Sequence, residues 1–283
     1  MRLRIPDHLP AHATGASRNR FTVRSARSRR CEDPVVPAPT DDPLAPLLTL
    51  PGVVDTADAV REAVASVHAH RTNRRGWPAT AAEAVVRAAR ASAVLDGGSP
   101  ELPLDGPVQD PVLAGALRVA EALGGLLPTW RRAPLQALAR MHVLAAADLP
   151  GDPDALGRPR PAGGVPARLD TLAHLLTGGT GVPATVLVAV VHGELLTLDP
   201  FPSAGGVVAR AAARLTAIST GLDPKGLAVP EVGHLRAAGE YREAARAFAG
   251  GGADGVGRWF SHCAAAWRAG TKEALGIADA AAG

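Results

Sequence analysis

Apolar residues in this chain recur with the spacing of a helix face, and nowhere do they alternate with polar ones for long. That restricts the chain to packed helices. Segment 184–191 alone reads equally well as a buried strand, and its continuation through Glu194-Leu195-Leu196 makes it too long for one. Composition points the same way. Hydrophobic residues make up 47% of the 283 positions but aromatic ones only 3%, so Ala, Leu and Val must fill the core. Small side chains let helices approach closely, and alanine is the best helix former and a poor strand former. The expected fold class is all-α.

Caps and breakers set the expected boundaries. Asp55 or Thr56 caps a helix reaching Val67. Thr80, with Glu83 three residues on, makes a capping box for a helix over 81–95 that stops at Gly97-Gly98. Pro111 and Pro134 open helices to about Leu123 and Ala147. The Pro- and Gly-rich stretch 149–166 reads as a long loop, followed by a short helix over 168–176. Pro183 opens the most apolar helix, ending near Leu198. A turn follows over 199–206, then helices over 207–220, 240–248 and 256–269. Three segments result: a disordered basic and Pro-rich tail over 1–45, N-terminal helices over 46–110, and a helical core over 111–275.

The tail carries the charge. Eight arginines against Asp7 put +7 into residues 1–31, which leaves the rest of this +3 chain at −4. Contact with nucleic acid is therefore expected only through the tail, if at all. Cys31 and Cys263 form no disulfide framework or metal spacing, and a reduced cytoplasm is the expected setting. No apolar run is read as reaching the roughly 18 residues of a membrane span, so no membrane partner is expected. His68 and His70 read as solvated, and His142, His174 and His234 show no ligand spacing, so no metal site is expected.

Chemistry concentrates in the stretch from His192 to Arg210: a buried helix, a Pro200-Phe201 turn, the pair Gly205-Gly206, and a second helix with Arg210 in its early turns. Physically this is an anion site. Glycines let the backbone approach a ligand, free amides at a helix start attract negative charge, and an arginine adds a bidentate cation. The same residues also read as an ordinary helix–helix turn with Ser203 as N-cap, with His192 as a core histidine and Arg210 as a surface charge or an internal ion pair with Asp96.

The stretch resembles the Fic (Fido) family signature H-P-F-x-(D/E)-G-N-(G/K)-R-x-x-R with its upstream H-x-x-(F/L)-x-x-(I/L). Pro200, Phe201, Gly206 and Arg210 match, as do His192 and Leu198. Ser92-Ala93-Val94-Leu95-Asp96-Gly97 resembles the family's inhibitory motif (S/T)-x-x-x-E-(G/N), in which the acid pairs with the last signature arginine. Gly157 to Arg160 resembles the G-x-x-R loop, and Tyr241 with Trp259-Phe260 resembles the C-terminal helices, so the likeness spans about 75–270.

The resemblance implies an all-α Fic-like domain with an N-terminal helical extension, ATP with Mg as nucleotide, and a target or partner protein. The departures imply lost AMP transfer. Asp199 stands where the family has its catalytic His, and its reference pKa of about 3.9 makes a poor base. Ser203 replaces the metal-holding acid, Ala204-Gly205 the Gly-Asn pair, and Val207 the phosphate-gripping arginine. Two other readings stand beside this one: a divergent transferase using Asp199, and a helical scaffold acting through its tail.

Overall fold

A computed structural model describes residues 42–161 and 163–282. Residues 1–41, and with them nearly all of the segment read as a disordered tail, lie outside the described residues. The last four of that segment are docked: Asp42 is buried, and its carboxylate accepts from Thr180 Oγ1 at 2.8 Å and from the Gly181 amide at 2.7 Å.

Among the described residues the chain is helical, with no strand. The α-helices are α1 (Val53–Ala69), α2 (Arg71–Arg75), α3 (Trp77–Leu95), α4 (Pro111–Trp130), α5 (Pro134–Ala146), α6 (Val165–Leu176), α7 (Ala184–Leu198), α8 (Gly205–Ser219), α9 (Pro230–Arg236), α10 (Ala238–Gly250) and α11 (Gly252–Ala280). Short 3-10 turns span Ala45–Thr49 and Pro153–Ala155.

α7 is the central element. Val186 to Gly193 are buried without a break, as expected of a helix that is apolar all round. α8 returns against it after a short turn, and α1, α6, α10 and α11 pack on its other sides. α4 pairs with α5, α3 and α8. Small residues set the spacing: a Cβ at Gly115 on α4 would strike the Ala145 carbonyl on α5. α4 is also 20 residues long and apolar enough to pass for a membrane span, against the sequence expectation that no run reaches that length. In the fold, its Leu113, Ala116, Val119 and Leu123 lie in the core.

Several expected caps are corrected. α3 begins at Trp77, where Pro78 occupies the first turn, and not after Thr80. Thr80 lies inside the helix and donates to Asn73 Oδ1 at 2.7 Å, while Glu83 pairs with Arg87. α1 begins at Val53 with Gly52, at φ +75°, as its N-cap. His68 is not solvated: it meets Asp223 at 2.8 Å with its side chain 18% exposed. α4 and α11 run on to Trp130 and Ala280, beyond their expected ends, and α9 falls where no helix is expected.

Candidate functional site

Two helix ends build the site. α3 stops because Gly97 adopts φ +87°, so that the Gly97 amide donates to Val94 O at 3.1 Å and the Gly98 amide to Ala93 O at 2.9 Å. This glycine-dependent termination leaves Asp96 as the C-cap, pointing past the helix end. α7 stops at Asp199, which is left-handed (φ +40°), and α8 starts after Ala204, also left-handed (φ +55°). No other non-glycine residue among those described has positive φ. α8 has no side-chain cap, so Ser203 is not the N-cap that its position suggests.

The Asp96 carboxylate closes the start of α8. One oxygen accepts from Arg210 Nη2 at 2.7 Å and the other from the Val207 amide at 2.9 Å. A Cβ at Gly206 would collide with this carboxylate, and one at Gly205 would collide with that of Asp199. The glycines thus allow close approach of an anion to the helix start, and the anions in place are the chain's own.

Arg210 is buried, and all three of its nitrogens donate. Besides Asp96, Nε donates to Ser92 Oγ at 2.8 Å, Nη2 to Ser92 O at 2.9 Å and Nη1 to the Tyr241 hydroxyl at 3.4 Å. Burial pushes the Tyr241 phenol up to about 12 against the pull of Arg210, so it stays protonated. Arginine only donates, so the Tyr241 oxygen accepts from it, and the same hydroxyl is hydrogen-bonded to His192 Nε2 at 2.8 Å. Burial, then the Arg210 charge, hold His192 well below the ordinary histidine value. His192 is thus a neutral ring within the core. His234 stands edge-on to it at 5.0 Å and meets His262 at 3.0 Å.

Asp199 faces another way. Its carboxylate meets Arg160 Nη1 at 3.0 Å, and the Arg160 amide donates to Pro200 O at 2.8 Å, which fastens the 157–160 loop to the turn. Both side chains are about half exposed. Pro200 and Phe201 are buried, with Phe201 stacked on His142 at 4.3 Å and 8°.

The structure therefore brings together Ser92, Asp96, Gly97, Gly205, Gly206 and Arg210, reaches His192 through Tyr241, and sets Asp199 against Arg160. Sequence reasoning missed Arg214, one turn after Arg210, which is buried and donates to Gly226 O at 2.6 Å and Ala228 O at 2.8 Å. Its i, i+4 spacing from Arg210 was the available signal. His234 and His262 had none, since separate helices bring them together.

The residues as arranged do not fit a Mg–nucleotide. Cavities touching Arg210 measure about 20 Å³ and 10 Å³, room for a water at most. Ser203 supplies a hydroxyl at the position where the signature has a carboxylate, and no group of three His, Cys, Asp or Glu side chains among the described residues is arranged to hold a metal ion.

No family profile matches the sequence, and no curated protein matches it. Solved structures do. A Fic family protein from Desulfovibrio desulfuricans G20 superposes with a TM-score of 0.62 at 17% identity, over 80% of this chain and 74% of that one. Two forms of Fic-1 from C. elegans superpose with TM-scores of 0.60 and 0.59 at 14% and 15% identity, over 79% and 82% of this chain and 72% and 74% of theirs. The chain has the all-α Fic (Fido) fold.

Proposed function

We propose that, on this Fic fold, the chain no longer transfers AMP and acts by binding: the turn at the start of α8 is a gated anion site, shut by Asp96 and opened when a phosphate-bearing ligand displaces that carboxylate. One observation carries the reading. Asp96 spans the Arg210 guanidinium and the Val207 amide, the two donor types that would otherwise hold a phosphate. Its side chain is 22% exposed while that of Arg210 is 3% exposed, so the lid faces solvent and the cation beneath it does not.

Loss of transfer rests on the substitutions. Phosphoryl-type transfer depends on positioning and charge neutralisation. Here Asp199 replaces the base and is fastened to Arg160, Ser203 replaces the metal-holding acid, and Val207 replaces a phosphate-gripping arginine.

Calorimetric titration with ATP and Mg²⁺ tests the gate. Binding should be weak in the natural chain, stronger in Asp96→Gly and absent in Arg210→Ala. No binding in any of the three would remove nucleotides from the reading and turn the search to protein partners. A second reading keeps transfer, with Asp199 as base, because Asp199 is half exposed at the position of the family's His. It requires nucleotide labelling of the chain or a target that Asp199→Ala abolishes; labelling that survives this change excludes it.

A further inference from the structure

A cavity of about 220 Å³ opens between the end of α5, the 149–156 loop and Pro202-Ser203. Neither Asp96 nor Arg210 lines it, so it lies beside the gated anion site and shares only Pro202 and Ser203 of the turn between α7 and α8. Its walls are mostly apolar, with Ala146, Leu149, Pro150 and Leu156 among them. The one charge in the lining is Asp152, whose Oδ1 already accepts from the Asp154 amide at 2.9 Å.

His142 determines how Ser203 presents its hydroxyl to this space. Nδ1 of His142 accepts from the Gly157 amide at 2.9 Å, so the ring proton sits on Nε2. Burial lowers the His142 pKa, and stacking on Phe201 fixes the ring, so this neutral tautomer persists. Its Nε2–H faces Ser203 Oγ at 3.4 Å. The Ser203 oxygen accepts there, and its own O–H is left to point elsewhere. The same tautomer has no free lone pair on Nε2 with which to take the Ser203 proton, so the pair is not a nucleophile and base.

We propose that this cavity binds a small uncharged molecule: an apolar ring with one acceptor oxygen, a carbonyl or ether, that takes the Ser203 O–H. An apolar cavity of roughly 150 Å³ accepts benzene. The 220 Å³ here therefore accepts a six-membered ring with a short substituent. The Asp152 carboxylate and the lack of any lining cation select against anions.

The test is a titration of the ¹⁵N-labelled full chain with 4-methylcyclohexanone, following the amides of Leu156, Gly157 and Ser203. The expected result is saturable shifts at these residues with a Kd on the order of 1 mM, as suits a ligand this small. Ser203→Ala should weaken binding about five-fold, the net worth of one hydrogen bond. Ala155→Phe should fill the cavity and remove binding while leaving the rest of the spectrum in place. Benzoate, similar in size but anionic, should bind more weakly than the ketone. Absence of saturable shifts, equal affinity in Ser203→Ala, or tighter binding of benzoate would each overturn the proposal.

Discussion

Replacing Asp96 by asparagine keeps the shape at the start of α8 and removes its charge. The carboxylate accepts at both oxygens, from Arg210 Nη2 at 2.7 Å and from the Val207 amide at 2.9 Å. An amide has a single oxygen, so one of these donors is left facing an NH₂ group. With the Arg210 side chain 3% exposed and that of Asp96 22% exposed, water replaces the lost acceptor poorly. Removing one partner of a buried ion pair costs about 3–5 kcal/mol. Arg210 keeps Ser92 Oγ, Ser92 O and Tyr241. That sets Asp96→Asn at the low end, about 3 kcal/mol. Arg210→Met removes the other partner. The double variant strands no charge, so it should be destabilised less than the sum of the singles by about 2 kcal/mol. Urea unfolding of the four proteins, followed by circular dichroism, measures both quantities. Loss of less than about 1 kcal/mol in Asp96→Asn, or strict additivity, would refute the argument and make the pair a screened surface contact.

Ala204 bears the left-handed penalty at the start of α8, at φ +55°. Relief of about 1–2 kcal/mol, less the added freedom of glycine in the unfolded chain, should make Ala204→Gly more stable by about 0.5–1 kcal/mol; an unchanged or lower urea midpoint would contradict this. Asp199 and Arg160 are half exposed, so their ion pair should contribute no more than about 1 kcal/mol, readable as the coupling term of a double-mutant cycle with alanine at both positions. Burial holds His192 and His234 well below the ordinary histidine value. The unfolded chain, with histidines near 6.5, then binds more protons than the folded one as pH drops, so stability is intact above about pH 6.5 and falls below it. Burial lowers His142 and His262 as well; each such group adds up to about 1.4 kcal/mol per pH unit, and His234→Gln should lower the slope by about that much in unfolding measured between roughly pH 6 and 5.

How much was legible depended on whether the deciding contact was local. α5 begins at Pro134 and α7 ends at Leu198, where proline and the end of an apolar run place them. The end of α3 was legible too, because Gly97-Gly98 is the chemistry of a helix stop. Its start was not, because Thr80 bonds to Asn73, a neighbour that only the packing of α2 supplies. The pairing of Asp96 with Arg210 was legible through motif resemblance, not through periodicity; the Ser92 contacts to Arg210 were not. That Asp96 also takes the Val207 amide depends on the direction in which α3 meets α8, which no local pattern encodes.

By itself the sequence determined the helical class, since its apolar spacing suits no sheet and its alanine-rich, aromatic-poor content can bury surface only through close helix packing. It also determined the chemical inventory of the turn: which side chains stand between Asp199 and Arg210. Only the tertiary structure decided what those groups do to one another. Arg210 is a buried cation paired with Asp96, Asp199 meets Arg160, and His142 meets Ser203, because contacts across 39 to 118 residues of chain are set by how helices pack. Burial then turns the contacts of Arg210 and His142 into a locked charge and a fixed tautomer, by removing the water that would otherwise compete for them.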